Sequence, residues 1–231
     1  MFDAQALLNQ FLGANSNDKI QKGKDYLAKN SGSLASGAAA GGLAGYLLGS
    51  KKGKKIAKKA ATYGGMALVA GLAYKAYTGY QQNKQMGSAS PVEPEAIPEP
   101  PMHSGFRIED QSESDNFCAT LVSAMIAAAK ADGHIDSAEH QAIFAKIEEL
   151  GLHNDQKAFL FDQLNRPLDI DSLVAAAATK EQAVEVYVAS IMAIEIDSPA
   201  EKAYLSMLAA RLDLEEELVD HIHSTLSETV V

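Results

Sequence analysis

The sequence predicts an all-α protein, and three observations favour that class. In the second half of the chain, apolar residues recur at helical spacing, as in Phe117, Leu121 and Met125. No stretch shows the sustained apolar–polar alternation of a half-buried strand. Nearer the N-terminus, glycine recurs every fourth residue from Gly37 to Gly49, which places the glycines along one side of a helix.

The charge is divided unevenly along the chain. Residues 1–90 contain 12 lysines and 3 aspartates, a net charge of +9, whereas residues 91–231 carry −19 of the total of −10. An acidic C-terminal half repels nucleic acid phosphates, so we expect no nucleic-acid partner. Because Cys118 is the single cysteine, no disulfide can form within the chain, and its place on an apolar helix face predicts a core residue.

Two weakly charged stretches, residues 33–50 and 60–80, predict an N-terminal Gly-rich membrane helical hairpin. About 20 residues are needed to cross the hydrocarbon core of a bilayer, and the second stretch reaches that length. Small residues on one helix face let helices approach closely in lipid, which predicts self-association. The glycines assigned to this packing are Gly37, Gly41, Gly45, Gly49, Gly65 and Gly71.

A lysine cluster separates the two stretches and predicts contact with anionic lipid. Its members are Lys51, Lys52, Lys54, Lys55, Lys58 and Lys59. Lysines stay on the cytoplasmic side of a membrane, but the number of spans, and hence the side that the acidic half faces, stays open. The alternative is a soluble scaffold whose basic arm only touches anionic lipid.

Composition divides the chain into four segments. Residues 1–32 form an amphipathic and polar start, in which residues 2–12 predict a short helix that either packs on protein or anchors at an interface. Residues 33–86 are the Gly-rich membrane-associated region. Residues 87–111 hold five of the seven prolines and predict an extended linker. Residues 112–231 form an acidic helical domain.

The segment KADGHIDSAEH, residues 130–140, gathers carboxylates at a predicted helix–turn–helix corner. Asp132, Asp136 and Glu139 there suit a hard cation such as Ca²⁺ or Mg²⁺, which takes oxygen ligands. His134 and His140 would instead favour Zn²⁺ or Mn²⁺. We predict no organic cofactor.

A second corner, residues 196–201, repeats the Ile-Asp-Ser start and carries Asp197 and Glu201. The repetition indicates an internal duplication. Both corners have a second interpretation, because an aspartate or serine followed by a glutamate also forms a helix N-cap with a capping box.

The sequence predicts a non-enzymatic protein. It has no Gly-rich phosphate loop ending in Gly-Lys-Ser/Thr, and no serine or cysteine nucleophile has a base nearby in sequence. The alternative is a metal-dependent enzyme whose active site is the acidic corner, with His134 or His140 as general base.

The segment AAAKADGHIDSAEHQAI, residues 127–143, resembles the signature corner of the TerB-like superfamily of tellurite-resistance helical domains. AIEIDSPAEKAYLSML, residues 193–208, is similar to the second half of such a domain. The whole layout resembles that of the YebE-type inner-membrane proteins of bacteria, a family of unknown function.

The resemblance implies an all-α fold of two related halves and a location at the bacterial inner membrane. It implies a divalent cation bound by Asp132, Asp136 and Glu139, with Asp197 and Glu201 in the second half. The second half lacks the Asp-Gly pair of the first. We expect the acidic helical domain to bind a divalent cation, an unknown protein partner, or both, and a role in envelope or metal-stress responses follows from the resemblance alone.

Overall fold

The computed structural model describes residues 2–12, 51–86, 96–131, 143–144, 147–148, 151–194 and 196–230. Within these ranges all regular structure is helical, which confirms the all-α class. The helices are α1 (Ala4–Phe11), α2 (Lys51–Tyr63), α3 (Gly65–Met86), α4 (Gln111–Ala129), α5 (Asn154–Asn165), α6 (Ile170–Ala176), α7 (Lys180–Met192), α8 (Pro199–Arg211) and α9 (Glu216–Val230).

Several helix starts lie where their capping residues predict them. The Thr179 hydroxyl accepts a hydrogen bond from the Gln182 amide at the start of α7. Ser198 and Glu201 form a full capping box at α8, with Pro199 in its first turn. Side-chain oxygens at these positions satisfy amides that have no partner inside the helix, so the local sequence sets where each helix begins.

Helix α7 lies at the centre of the molecule. Every residue from Ala183 to Met192 is buried, and α7 packs against α4 on one side and α3 on another. A helix that is buried on all sides requires other elements around it, and α3 and α4 are among those that surround α7. The core around α7 is continuous and includes residues from α1 through α9.

The second apolar stretch forms most of α3, which packs within this core. Leu68, Val69 and Leu72 are fully buried, and α3 contacts α7 and α9. Among the described helices, none combines the length and the apolar character that crossing a bilayer requires. The predicted membrane hairpin is therefore not supported for residues 60–80, because the stretch is divided between α2 and α3 at Gly64, whose φ is 84°. The first stretch, 33–50, lies outside the described residues.

The end of the proline-rich segment packs on α3. Ile97 is buried, and Phe106 lies with its ring centroid 5.8 Å from that of Tyr74 and 5.6 Å from that of Tyr77. Helices on both sides of this segment thus contribute to one core. The four-segment division of the chain stays a prediction.

Candidate functional site

Helix α2 presents a surface of lysines. Its apolar side, Gly53, Ile56 and Ala60, is buried against the rest of the protein. Because these positions recur at three- and four-residue spacing, the lysines between them point away from the core. Lys54, Lys55 and Lys58 are exposed and Lys59 is half-buried; these four lysines form the basic face of α2. The helix contains no acidic residue, so this face has a single sign of charge.

Lys52 lies on the same helix but binds protein. Its ammonium donates hydrogen bonds to the carbonyl oxygens of Ile191, at 2.8 Å, and Ile194, at 2.6 Å. These carbonyls end α7, where the helix dipole favours a cation. Burial lowers the pKa of His223, and the nearby Lys52 ammonium adds to that lowering. Through its two hydrogen bonds to carbonyl oxygens, Lys52 links α2 to the C-terminal end of the central helix α7. The side chain of Lys51 lies outside the described part of the structure.

Lys75 of α3 extends the positive charge beyond α2. Burial lowers the pKa of Lys75, the Glu228 carboxylate opposes that lowering, and the Lys59 ammonium adds to it. The Lys75 ammonium also donates to the Ala96 carbonyl oxygen at 3.2 Å. Tyr63, at the C-terminal end of α2, has 42% of its surface exposed. The basic face of α2 is thus bordered by a further cation and by an exposed aromatic ring.

Two predicted packing glycines lie against segments of the same chain. A Cβ atom on Gly65 would lie 2.9 Å from the Asn9 side-chain oxygen, and one on Gly71 would lie 2.6 Å from Ile97 Cγ2. The absence of a side chain therefore permits close approach to α1 and to residues 97–98 of the proline-rich segment, whereas packing against a second helix in lipid stays a prediction. Gly37, Gly41, Gly45 and Gly49 lie outside the described residues.

The second acidic corner is organised as a capping box. Glu201 is buried, and its Oε2 atom accepts hydrogen bonds from the amides of Asp197, at 3.2 Å, and Ser198, at 3.0 Å. Asp197 is exposed. The contact between the two predicted ligands thus joins the Glu201 carboxylate to the Asp197 backbone amide, and the Asp197 carboxylate takes no part in it.

The first acidic corner, Asp132, Asp136 and Glu139, lies outside the described residues, as do His134 and His140. In the ranges that are described, no group of three or more His, Cys, Asp or Glu side chains is arranged to hold a metal ion.

Lys130, directly before that corner, has a role that the sequence did not indicate. Its ammonium donates to the carbonyl oxygens of Gln163, at 3.1 Å, of Leu164, at 2.8 Å, and of Arg166. It thereby caps the C-terminus of α5 and lines a cavity of about 250 Å³ between α4, α5 and α6. Since the carbonyls lie more than thirty residues further along the chain, no local pattern reveals this contact.

Two buried ionisable groups lie near each other in the core. Cys118 is buried, as predicted for a core residue, and burial raises the pKa of its thiol to about 12, which makes the thiol a poor nucleophile. Glu185 of α7 is fully buried, and neither carboxyl oxygen has a hydrogen-bond partner in the described part of the protein. Burial raises the pKa of Glu185 well above its usual value, and the Glu181 carboxylate adds to the shift.

Comparison with known proteins places the chain in a family. A family model described as "Protein of unknown function (DUF533)" matches residues 33–226, which is most of the chain. This chain belongs to the DUF533 family. Membership is compatible with the YebE-type layout, whereas the TerB-like part of that resemblance stays a prediction.

One relative of this DUF533 protein is an "Uncharacterized protein in ampR 5'region" of Yersinia enterocolitica. The two are 30% identical over 108 residues, which cover 47% of this chain and 78% of the relative. No solved structure matches this chain significantly.

Proposed function

We propose that this DUF533 protein is a non-enzymatic helical module that attaches to an anionic lipid surface through the basic face of α2. The observation that carries the proposal is the division of α2 into two sides. One side docks in the core, and the other presents the exposed Lys54 and Lys58 to solvent in a chain whose net charge is −10.

The energetics favour electrostatic attachment over insertion. A lysine near an anionic bilayer surface contributes about 1 kcal/mol to binding, so several lysines on one face add up to useful affinity. The apolar side of α2 is committed to the protein core, which leaves little apolar surface on this helix to enter lipid. Attachment of this kind weakens as salt screens the charges.

The cytoplasmic leaflet of the bacterial inner membrane is the surface that fits this charge pattern. Its anionic lipids attract the basic face of α2 and repel the acidic C-terminal half, which favours an orientation with that half turned away from the lipid.

There the acidic corner Asp132, Asp136 and Glu139 is proposed to bind a divalent cation, Ca²⁺ or Mg²⁺, and a protein partner. The sequence and the TerB-like resemblance support this part of the proposal. A role in envelope or metal-stress responses is proposed on that resemblance.

Vesicle co-sedimentation of the full chain tests the attachment. Replacing Lys54 or Lys58 by Gln should weaken binding to phosphatidylglycerol vesicles roughly fivefold each, and the double variant roughly 25-fold, because each lysine supplies about 1 kcal/mol. Lys202→Gln is the matched control, since Lys202 is an exposed lysine on α8 and should leave binding unchanged.

Phosphatidylcholine vesicles and a salt series complete this experiment. We expect weak binding to the zwitterionic lipid and release from phosphatidylglycerol as the salt concentration rises. Equal binding to both lipids, or a K54Q/K58Q variant that binds as tightly as the unmodified chain, would refute the proposal.

A further inference from the structure

Helix α1 lies in an apolar groove formed by α3, α4 and α5, which we name the α1 groove. Leu7 and Leu8 are completely buried there, and Leu12, just after the helix, is 1% exposed. The ring of Phe2 lies 5.2 Å from that of Phe159 on α5, measured between centroids. Most apolar side chains of this short segment are therefore removed from water by other parts of the protein.

Polar contacts fix the position of α1 along the groove. The Gln156 side-chain amide donates to the Asp3 carbonyl oxygen at 2.8 Å, at the N-terminal end of the helix. Two residues further along, the Gln5 side-chain amide donates to the Ser114 hydroxyl at 2.8 Å. Partly buried hydrogen bonds of this kind favour one register, because a shifted helix would leave polar groups without these partners.

The C-terminal end of α1 contacts the start of α3. The Asn9 side-chain oxygen accepts a hydrogen bond of 2.5 Å from the Gly65 amide, one of the free donors at that helix start. A Cβ atom on Gly65 would lie 2.9 Å from that oxygen and 3.0 Å from Leu12 Cδ1. The groove thus has the shape of α1 at this point, and glycine is the residue that permits the contact.

Helix α1 occupies the α1 groove in the way that a helical peptide ligand occupies the groove of a receptor. A free helix of eight residues is marginal in water, so the groove stabilises α1 rather than the reverse. Residues 13–50 separate α1 from α2, and the family match begins at residue 33. The surfaces that receive α1 therefore belong to the part of the chain that the family model matches, whereas α1 does not.

We propose that the α1 groove is an exchangeable helix-docking site through which two copies of this chain join. The α1 helix of each copy docks in the groove of the other and makes in trans the contacts that it makes in cis. The arrangement is reciprocal and closed, since each copy offers one helix and one groove. No new surface is needed, because the complementary pair already exists within one chain.

Disulfide trapping tests exchange in the full chain. Both chains carry Cys118→Ala, which removes the native thiol beside Ser114. One of them then carries Gln5→Cys and the other Ser114→Cys, so a bond between these two positions can form only between copies. Under slow oxidation we expect a cross-linked dimer that accumulates with time. The matched control replaces Ala6 instead of Gln5 and should give several-fold less dimer. A chain with both Gln5→Cys and Ser114→Cys shows whether the two cysteines can meet at all.

A complementation experiment tests the same pairing without cysteines. Leu8→Asp prevents α1 from docking, and Gly65→Val closes the groove, so neither chain can pair its own helix and groove. Mixed together, they should form a 1:1 complex by native mass spectrometry, with a higher melting temperature than either chain alone. A chain that carries both Leu8→Asp and Gly65→Val replaces the Leu8→Asp chain in the control mixture and should form no complex, because it offers no open groove.

Each readout can overturn the proposal. The proposal would be overturned if the doubly substituted chain closed its own disulfide but the two single-cysteine chains never cross-linked. So would a mixture of L8D and G65V that remains two monomers with unchanged stability. If either variant is unfolded alone, recovery of helical circular dichroism on mixing supports the proposal, and failure to recover rejects it.

Discussion

At the scale of single residues, Glu185 is the least expected side chain in the protein. It lies on the central helix α7, fully buried, with no hydrogen-bond partner for its carboxyl group in the described residues. Burying a carboxylate without a partner is costly, so the group remains protonated to a higher pH than usual. The residue therefore makes stability depend on pH.

Replacing Glu185 by Leu should raise the free energy of unfolding at neutral pH by about 1–3 kcal/mol, because an unsatisfied polar group leaves the core. The pKa of Glu185 in the folded state lies above its value near 4.5 in the unfolded state. The stabilisation that the protonated carboxyl group contributes is therefore complete below pH 4.5. It is lost as pH rises through the folded pKa, by up to about 1.4 kcal/mol per pH unit. Urea unfolding from pH 4 to 8 measures this slope.

The unmodified protein should show the loss of stability with rising pH, and E185L should lack it. Glu217→Leu is the matched control, because Glu217 is exposed on α9 and its replacement should change stability little. An identical pH slope in E185L and the unmodified protein would contradict this prediction.

At the scale of helices, α3 shows how the surroundings decide what a glycine does. Gly71 and Gly79 lie on the same helix. A Cβ on Gly71 would lie 2.8 Å from the Pro98 carbonyl oxygen, whereas a Cβ on Gly79 would meet nothing closer than His221 Nδ1 at 3.9 Å. The two positions therefore form a matched pair.

Gly71→Ala should destabilise the protein by about 1–3 kcal/mol, because the added methyl group overlaps a backbone atom that cannot move away freely. Gly79→Ala should stabilise it by roughly 0.5–1 kcal/mol, the usual gain for alanine inside a helix. Thermal unfolding of both variants measures the difference. Equal effects at the two positions would show that close approach of residues 97–98 does not constrain α3.

At the scale of the whole molecule, one core joins helices from both ends of the described sequence. A ligand that binds only the folded chain should therefore stabilise the entire core, by about 2.7 kcal/mol at a concentration one hundred times its Kd. For a chain of this size, that gain corresponds to a rise in Tm of roughly 5–10 °C. Melting the full chain can thus report cation binding at a distant corner.

We expect Ca²⁺ or Mg²⁺ to raise the Tm of the full chain, and Asp136→Asn to abolish the rise, because the acidic corner then loses a proposed ligand. Glu217→Gln removes an exposed carboxylate elsewhere and should retain the rise. Potassium chloride at equal ionic strength accounts for screening. If neither these ions nor Mn²⁺ or Zn²⁺ changes the Tm, the cation site is wrong.

Local sequence determined the secondary structure of this protein. Capping residues such as Thr179 and Ser198, together with helical spacing, predict the helices and the all-α class because those signals act within one or two turns. The alternation of lysines with Gly53, Ile56 and Ala60 is likewise local, so the lysine cluster was identified from sequence.

Tertiary structure alone decided where each apolar face lies. An apolar, glycine-containing stretch is compatible with both lipid and a protein core, and only the packing of α3 on α7 and α9 shows that it lies in the core. The sequence also did not predict three features of the fold: the Lys52 cap of α7, the Lys130 cap of α5 and the isolated carboxyl group of Glu185. Their partners or surroundings are distant along the chain, and proximity in space is a property of the fold.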